Sequence, residues 1–347
     1  MKSTTFSSLN GIALTFSEPE YKERIEHVKK IIVRHPQYEE VYNELEEVHI
    51  TSQGSVQASQ LNLSGRTGAG KTTIVKQYVE RHPRKLTDTG TIIPVLYVKV
   101  PPRLKTPKAL ASKILGEMGD LFANSGTDEE LGRSIVQFVR DCQTEMIILD
   151  EFQHLIDRDT LNVLATASDW LKLLTEELNI PVILCGLPES KDIFEYNEQI
   201  DGRYPRRIIL EPFGFEEQAQ QKKFRLFLKK LDGEMPFSEY SNLSDPMLAS
   251  KIHYVTEGVP RYIKDILIEA TKTSLKRGID YINEDSLHDA FHRLTRSNQR
   301  YAINPFGDAR FNYFDAIEIK RKKETAFINS QNDNSKRNNK KQTKKTS

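Results

Sequence analysis

Cysteine is scarce in this chain: Cys142 and Cys185 are the only two in 347 residues, and both lie in apolar stretches. A disulfide scaffold and a cysteine-rich zinc site are therefore not expected, and a reducing cytoplasm fits best. Long apolar runs are missing too. Nothing approaches the roughly 18–20 residues that cross a bilayer, so no membrane segment is expected. The N-terminal MKSTTFSSLNGIALTF has no continuous apolar core before a small-residue cleavage site and does not read as a signal peptide. The eight histidines are scattered and form no H-E-x-x-H pattern. His154 has no metal partners at ligand spacing, so a structural role is expected for it. Neither sign of charge dominates, with Lys+Arg 50 against Asp+Glu 49.

What is present is an ordinary soluble composition, 37% hydrophobic and 29% charged, with mean hydropathy −0.55. It is not that of a wholly disordered or fibrous protein. The balanced total hides an asymmetry. From Glu318 to Ser347 there are ten Lys/Arg and three Asp/Glu, a local excess of +7, which leaves −6 on the rest. From Asn329 onward no aliphatic or aromatic side chain occurs. Such a stretch cannot bury enough surface to offset its ordering entropy, and a disordered basic tail is expected.

Four regions follow from periodicity. Residues 1–55 read as a leader and a helical segment, with Ile25, Val28, Ile31 and Ile32 on one helix and Tyr38, Val41, Tyr42 and Leu45 on a second. Residues 56–212 alternate strand-like runs with helical patterns. The runs are Gln60–Leu63, Thr91–Val100, Met146–Leu149, Val182–Cys185 and Arg207–Leu210; the helices are Thr72–His82, Thr106–Met118, Leu131–Cys142 and Leu161–Leu178. That alternation predicts a mainly parallel sheet covered on both faces. In the last helix Leu164, Ala167, Leu171, Leu174 and Leu178 form one stripe, flanked by Trp170, whose expected role is packing. Residues 213–295 become helical, with candidates at Glu216–Leu231, Pro246–Val255, Pro260–Lys276 and Asn283–Leu294, as in a compact bundle. Residues 296–347 are left as a C-terminal extension ending in the basic tail.

The strongest chemical signal is Gly65-Arg66-Thr67-Gly68-Ala69-Gly70-Lys71-Thr72, which fits G-x-x-x-x-G-K-[ST]. Glycines let such a loop curl so that backbone N–H groups face inward on phosphate oxygens. The helix that follows presents its N-terminus to the same anion, and Thr73 continues that turn. Lys71 has the reach for the β- and γ-phosphates, and the Thr72 hydroxyl is a ligand for Mg²⁺. About 80 residues later, Met146-Ile147-Ile148-Leu149 ends in Asp150-Glu151. Asp150 is expected to hold Mg²⁺ through water, and Glu151 to orient and activate an attacking water. The second acid points to hydrolysis, since nucleotide binding alone does not need it.

Other elements complete the set. In Val182-Ile183-Leu184-Cys185-Gly186-Leu187-Pro188, Cys185 takes the slot of a γ-phosphate sensor, although a thiol is a weak hydrogen-bonding group. A buried strand entering a turn explains the segment equally well. In Asp201-Gly202-Arg203-Tyr204-Pro205-Arg206-Arg207, Arg203, with Arg206 second, is the candidate to reach the ATP of an adjacent subunit. A solvated or helix-terminal arginine is the plainer reading. Gly258-Val259-Pro260-Arg261 opens a helix, and Arg261 is the candidate arginine for the same chain's phosphates.

The order GRTGAGKT, MIILDEFQHL, IPVILCGLPES, QIDGRYPRR, GVPRYIKDIL resembles the TniB/TnsC family of transposition ATPases, within the AAA+ superfamily. RHPQYEEVYNELEEV and VLYVKVPP extend the resemblance to residues 30–295. It implies an AAA+ fold, an α/β P-loop core with a C-terminal helical lid over 213–295. It also implies a mechanism: with ATP and Mg²⁺, subunits assemble on double-stranded DNA as a ring or filament. The assembly links a target selector to a transposase and comes apart on slow, assembly-dependent hydrolysis. Family members face the duplex after their second strand, where this chain has Arg103, Lys105 and Lys108; backbone contact is expected from Arg103 and Lys105. The basic C-terminal extension has no counterpart in the resemblance. Two alternatives stand beside this reading. An initiator-type DNA loader should carry a sequence-reading domain, for which residues 296–347 look too short and polar. A recruiting switch that hardly turns over should lack the activating carboxylate, and Glu151 argues against it.

Overall fold

The computed structural model describes residues 15–88, 90–102, 106–155, 161–294 and 302–327. The chain divides into two compact units. One comprises residues 34–211; the other joins the residues up to 33 to those from 212 onward. The N-terminal segment is thus shared, its first helix in one unit and its second in the other. Among the described residues no helix is long and apolar enough to cross a membrane.

In the unit of residues 34–211, α2 (Pro36–Ser52) precedes β1 (Leu61–Ser64) and α3 (Lys71–Arg81). A small hairpin follows, β2 (Lys85–Thr87) with β3 (Gly90–Ile92), before β4 (Val95–Lys99). Next come α4 (Pro107–Met118), α5 (Asp128–Asp141), β5 (Met146–Asp150), α6 (Leu161–Glu177) and β6 (Val182–Gly186). Two short helices, α7 (Asp192–Tyr196) and α8 (Glu198–Arg203), lead to β7 (Arg206–Ile209). The five long strands form a parallel sheet in the order β4-β5-β6-β1-β7, so the expected parallel sheet is what the chain builds. The predicted single run Thr91–Val100 is in fact two strands interrupted at Ile93-Pro94, because proline cannot donate to a ladder.

Period-two alternation sorts the sheet's side chains into two layers. Ile147, Leu149, Val182 and Leu184 face a core shared with α4, α5 and α6, where Trp170 is buried as expected. Ile148, Ile183 and Cys185 face a second core completed by Tyr38, Val41, Tyr42 and Leu45 of α2 and by Ile74, Val75 and Tyr78 of α3. Capping fixes the helix starts: Thr127 and Glu130 form a reciprocal box at α5, and Thr106 caps α4.

The other unit holds α1 (Glu18–Lys30), α9 (Gln218–Gly233), α10 (Pro246–Thr256), α11 (Pro260–Lys276) and α12 (Glu284–Arg293), with a further helix, α13, over 313–327. Fully buried Arg24 ties α1 in through an ion pair with Asp280, which also accepts from the Ser238 hydroxyl, and a second pair with Glu20 at 2.8 Å. A buried charge left without its partners would be costly, so this arginine specifies where α1 docks. Residues 302–327 are not merely an appendage: Phe306, Phe311, Tyr313 and Ala316 are buried in this unit's core. The expected disordered tail from Asn329 lies outside the described residues.

Candidate nucleotide site

The loop from Gly65 to Gly70 joins the end of β1 to the start of α3. Its shape depends on missing side chains. A Cβ on Gly65 would stand 2.4 Å from the Leu210 carbonyl oxygen, so only glycine lets the loop lie against the chain leaving β7. Gly68 and Gly70, at φ 85° and 113°, turn the backbone back so that Gly70 caps α3. Ala69 is buried under the loop, while Arg66, Thr67 and Thr73 are exposed. Two backbone bonds set the frame: Gly65 N–H to Gly186 O at 3.2 Å, and Ile74 N–H to Gly70 O at 3.1 Å. Lys71 is buried, and its ammonium donates to the carbonyls of Gly65 and Arg66.

Strand order brings the acids to this loop. β6 lies between β1 and β5, and register sets Ser64 beside Gly186 and Cys185 beside Asp150. The C-terminal ends of β1, β5 and β6 therefore line up, the usual ligand edge of an open parallel sheet. There the Thr72 hydroxyl donates to Asp150 Oδ2 at 2.8 Å. Asp150 is nearly fully buried and held from three sides, with Tyr97 OH donating to Oδ2 at 2.8 Å and the Glu151 N–H to Oδ1 at 2.9 Å. Burial, and then the bond to this carboxylate, push the Tyr97 hydroxyl well above its ordinary pKa, so it remains a donor.

Glu151 sits at φ 59°, a left-handed conformation that a side-chain-bearing residue rarely adopts. Strain of this kind, of order 1–3 kcal/mol, collects at functional positions. Its carboxylate accepts from the Gln153 side-chain amide at 2.5 Å. The other end of that amide accepts the Leu187 N–H at 3.1 Å, in the turn that follows β6. Gln153 is buried and thereby joins the second acid to the loop after the neighbouring strand. Cys185 does not take up a sensing position: it is fully buried in the core on the α3 side, and burial drives its thiol pKa well up. Gln153 and the Leu187 N–H are joined in the turn that follows the Cys185 strand.

Thr72 and Asp150 are thus joined directly, with Lys71 just before Thr72 at the start of α3 and Glu151 just after Asp150 at the end of β5. Sequence reasoning missed Gln153 and Tyr97. Gln153 was visible as a polar residue two places after the acids, whereas Tyr97 depends on the β4–β5 register, for which the sequence carries no local signal. A threonine hydroxyl beside one carboxylate is a hard-oxygen donor pair of the kind that suits Mg²⁺ shared with phosphates. Among the described residues no group of three or more His, Cys, Asp or Glu is placed to hold a metal by itself.

Arg203 pairs with Glu176 of α6 and lies 3.5 Å from the Thr175 hydroxyl. Arg206 pairs with Glu44 and Glu47 of α2, and Arg207 pairs with Asp201 while covering the Phe194 ring at 4.4 Å. Arg261 belongs to the other unit, exposed on the first turn of α11. The start of its segment is fixed by Gly258, whose N-terminal neighbour Glu257 closes α10 in the left-handed region. The Phe213 N–H donates to Gly258 O at 3.0 Å, and a Cβ on Gly258 would fall 2.0 Å from the Phe213 oxygen. That oxygen also accepts from His253 Nε2 at 2.7 Å, while His253 Nδ1 accepts from Tyr313 OH at 2.9 Å. Arg103 and Lys105 lie outside the described residues.

Known structures share this architecture. The ORC2 protein of Aeropyrum pernix, solved as ADPNP-ADP complexes, is 14% identical with a TM-score of 0.56, covering 81% of this chain and 74% of that one. Cdc6p from Pyrobaculum aerophilum is 17% identical at a TM-score of 0.57, with 79% and 72% covered. The Aeropyrum pernix ORC1 protein, solved in complex with DNA, is 15% identical at 0.54, with 80% and 70% covered. At these identities the likeness establishes the fold, that of AAA+ ATPases. No curated protein matches the chain at a significant level. The sequence itself is more specific: residues 24–213, over half its length, match the family described as Bacterial TniB protein. The chain is a member of the TniB family.

Proposed function

We propose that this protein is an ATP-dependent regulator of DNA transposition, acting in the cytoplasm. The observation that carries the reading is the joining of Lys71, Thr72, Asp150 and Glu151 at one sheet edge in a chain of the TniB family. The loop N–H groups and Lys71 bind the phosphates of ATP. Thr72 and Asp150 are the residues that would hold Mg²⁺, which supplies charge neutralisation at the phosphates. Glu151 takes a proton from the attacking water, and Gln153 holds its carboxylate in place. Asp150, fixed by Thr72, Tyr97 and the Glu151 N–H, needs little rearrangement to serve.

Subunits assemble on double-stranded DNA, with Arg203 offered to the ATP of a neighbour and Arg261 to the ATP of its own chain. Arg203 gives up its pair with partly exposed Glu176 at small cost, since such pairs are worth at most about 1 kcal/mol. The assembly contacts the DNA backbone through Arg103 and Lys105, connects a target selector with a transposase, and is released by slow hydrolysis.

The test is imaging of the full chain with linear duplex DNA, with and without a non-hydrolysable ATP analogue. Rings or filaments that need the analogue and vanish in Lys71→Ala are expected. Isolated particles indifferent to DNA would overturn the assembly reading and leave a nucleotide switch.

A further inference from the structure

Several cations on the helices of this protein pair with an acid of the same helix or turn. Lys22 pairs with Glu18, Lys29 with Glu26, Lys113 with Glu117, Lys191 with Glu195 and Lys272 with Glu269, each within one helical turn. α9 differs in gathering its cations on one face. Its buried side is Phe224, Phe227, Leu228, Leu231 and Asp232. Its solvent side carries Lys222, Lys223, Arg225, Lys229 and Lys230, all exposed, with no acid between Gln218 and Leu231. Among the described residues no carboxylate pairs with Lys222, Lys223, Arg225 or Lys229; Arg225 donates only to the Ser244 carbonyl.

This arrangement works against the helix. Arg225 and Lys229 are like charges four residues apart, and Lys222 and Arg225 three apart, spacings at which repulsion destabilises. A surface kept at a cost in stability calls for an anionic partner. At 1.5 Å per residue, Lys222 to Lys229 spans about 10 Å, a straight basic strip rather than a point. Its one exposed apolar residue is Leu226, at 53%. Protein interfaces concentrate aromatic anchors and deplete lysine, whereas surfaces for phosphate backbones are dense in cations. Arg321 pairs with Glu216 at the entry to α9 and Lys322 with Glu318, so of the neighbouring Arg321-Lys322-Lys323 turn of α13 these two are already compensated.

We propose that the solvent face of α9 is a contact surface for the phosphate backbone of duplex DNA, separate from Arg103 and Lys105. The proposal rests on the DNA-assembly reading above. The contact is electrostatic and indifferent to sequence, and it releases counterions as it forms.

The test is equilibrium binding of the full chain to a random-sequence duplex, with the non-hydrolysable ATP analogue, across a salt series. Wild type is compared with the triple variant Lys222→Gln, Lys223→Gln, Lys229→Gln, and with a control variant Lys22→Gln, Lys29→Gln, Lys191→Gln. Losing three backbone contacts is expected to weaken binding by about tenfold and to flatten the log–log salt slope by about 2–3, while the control matches wild type. Binding of a fluorescent ATP analogue is expected to be unchanged in all three. If wild type binds duplex and the α9 variant binds with the same affinity and slope, the proposal fails and the DNA reading stands. If wild type binds no duplex at all, that reading fails and takes the proposal with it. Binding of polyglutamate that the variant loses while keeping duplex would assign the face to an acidic protein and overturn the proposal.

Discussion

His253 offers a measurable consequence of the way its unit is closed. Its ring is buried between Phe215, stacked on it at 4.8 Å, and Phe224, with Nε2 donating to the Phe213 carbonyl and Nδ1 accepting from Tyr313. Both bonds fit the neutral imidazole. Desolvation is the largest influence on its pKa, which falls from 6.5 to about 4 even though the Phe213 carbonyl, Glu257 and Glu216 favour the proton; Lys320 opposes it. The folded pKa lies below the unfolded one, so the unfolded chain binds the proton more readily. The stabilisation is therefore full above 6.5 and is lost as pH falls towards 4. Between about pH 7.5 and about pH 5 the two values give a loss of about 2 kcal/mol. That corresponds to roughly 30-fold less hydrogen-exchange protection in α10 and α11 once intrinsic rates are corrected for pH. Comparing wild type with His253→Gln at both pH values isolates this residue, because other titrating groups are common to both proteins. A variant that lost as much protection on acidification as wild type would refute the reasoning.

Three further outcomes are expected. Glu151→Gln retains ATP binding but loses turnover by roughly 10²–10⁴-fold, measured as phosphate release, with assemblies persisting on DNA; normal hydrolysis would remove Glu151 from its role. Gln153→Leu frees the Glu151 carboxylate and strips the Leu187 N–H of its acceptor, so kcat falls about tenfold with unchanged nucleotide Kd. An altered Kd with normal kcat would make Gln153 a binding residue. Two glycine-to-alanine changes should differ in sign. Gly258→Ala drives a Cβ into the Phe213 carbonyl at φ 65° and costs about 2–3 kcal/mol, whereas helical Gly202, with open space around it, gains up to about 1 kcal/mol as alanine, both read from thermal unfolding.

The sequence disclosed most where a single segment carries the signal. The GRTGAGKT loop, the MIILDE strand and the stripe through Ala167, Leu171 and Leu174 depend on local spacing, and each takes the form that spacing predicts. The β2–β3 hairpin was invisible because Lys85-Leu86-Thr87 is wholly exposed and has no apolar alternation to display. The helices α7 and α8 are only five and six residues long, less than two turns each, too short for periodicity to show. Residues 302–327 looked polar because their anchors, Phe306, Phe311 and Tyr313, are irregularly spaced and are buried against side chains distant in sequence, such as His253 and Tyr254 of α10. In the site, Tyr97 reaches Asp150 through strand register and Arg203 meets Glu176 through packing of α8 on α6, and neither follows from one stretch of chain.

Two bare backbone contacts flank the crossing at Glu211-Pro212. Gly65 lies against the Leu210 carbonyl on one side, and Gly258 lies against the Phe213 carbonyl on the other. Leu210 is further held by its N–H to Ser64 O at 2.8 Å, and Phe213 by its N–H to Gly258 O at 3.0 Å. The chain is thus clamped on either side of a two-residue span, each time within its own unit. The torsional freedom of that span belongs to Glu211 and Pro212 alone, and the proline ring fixes one of its four main-chain angles.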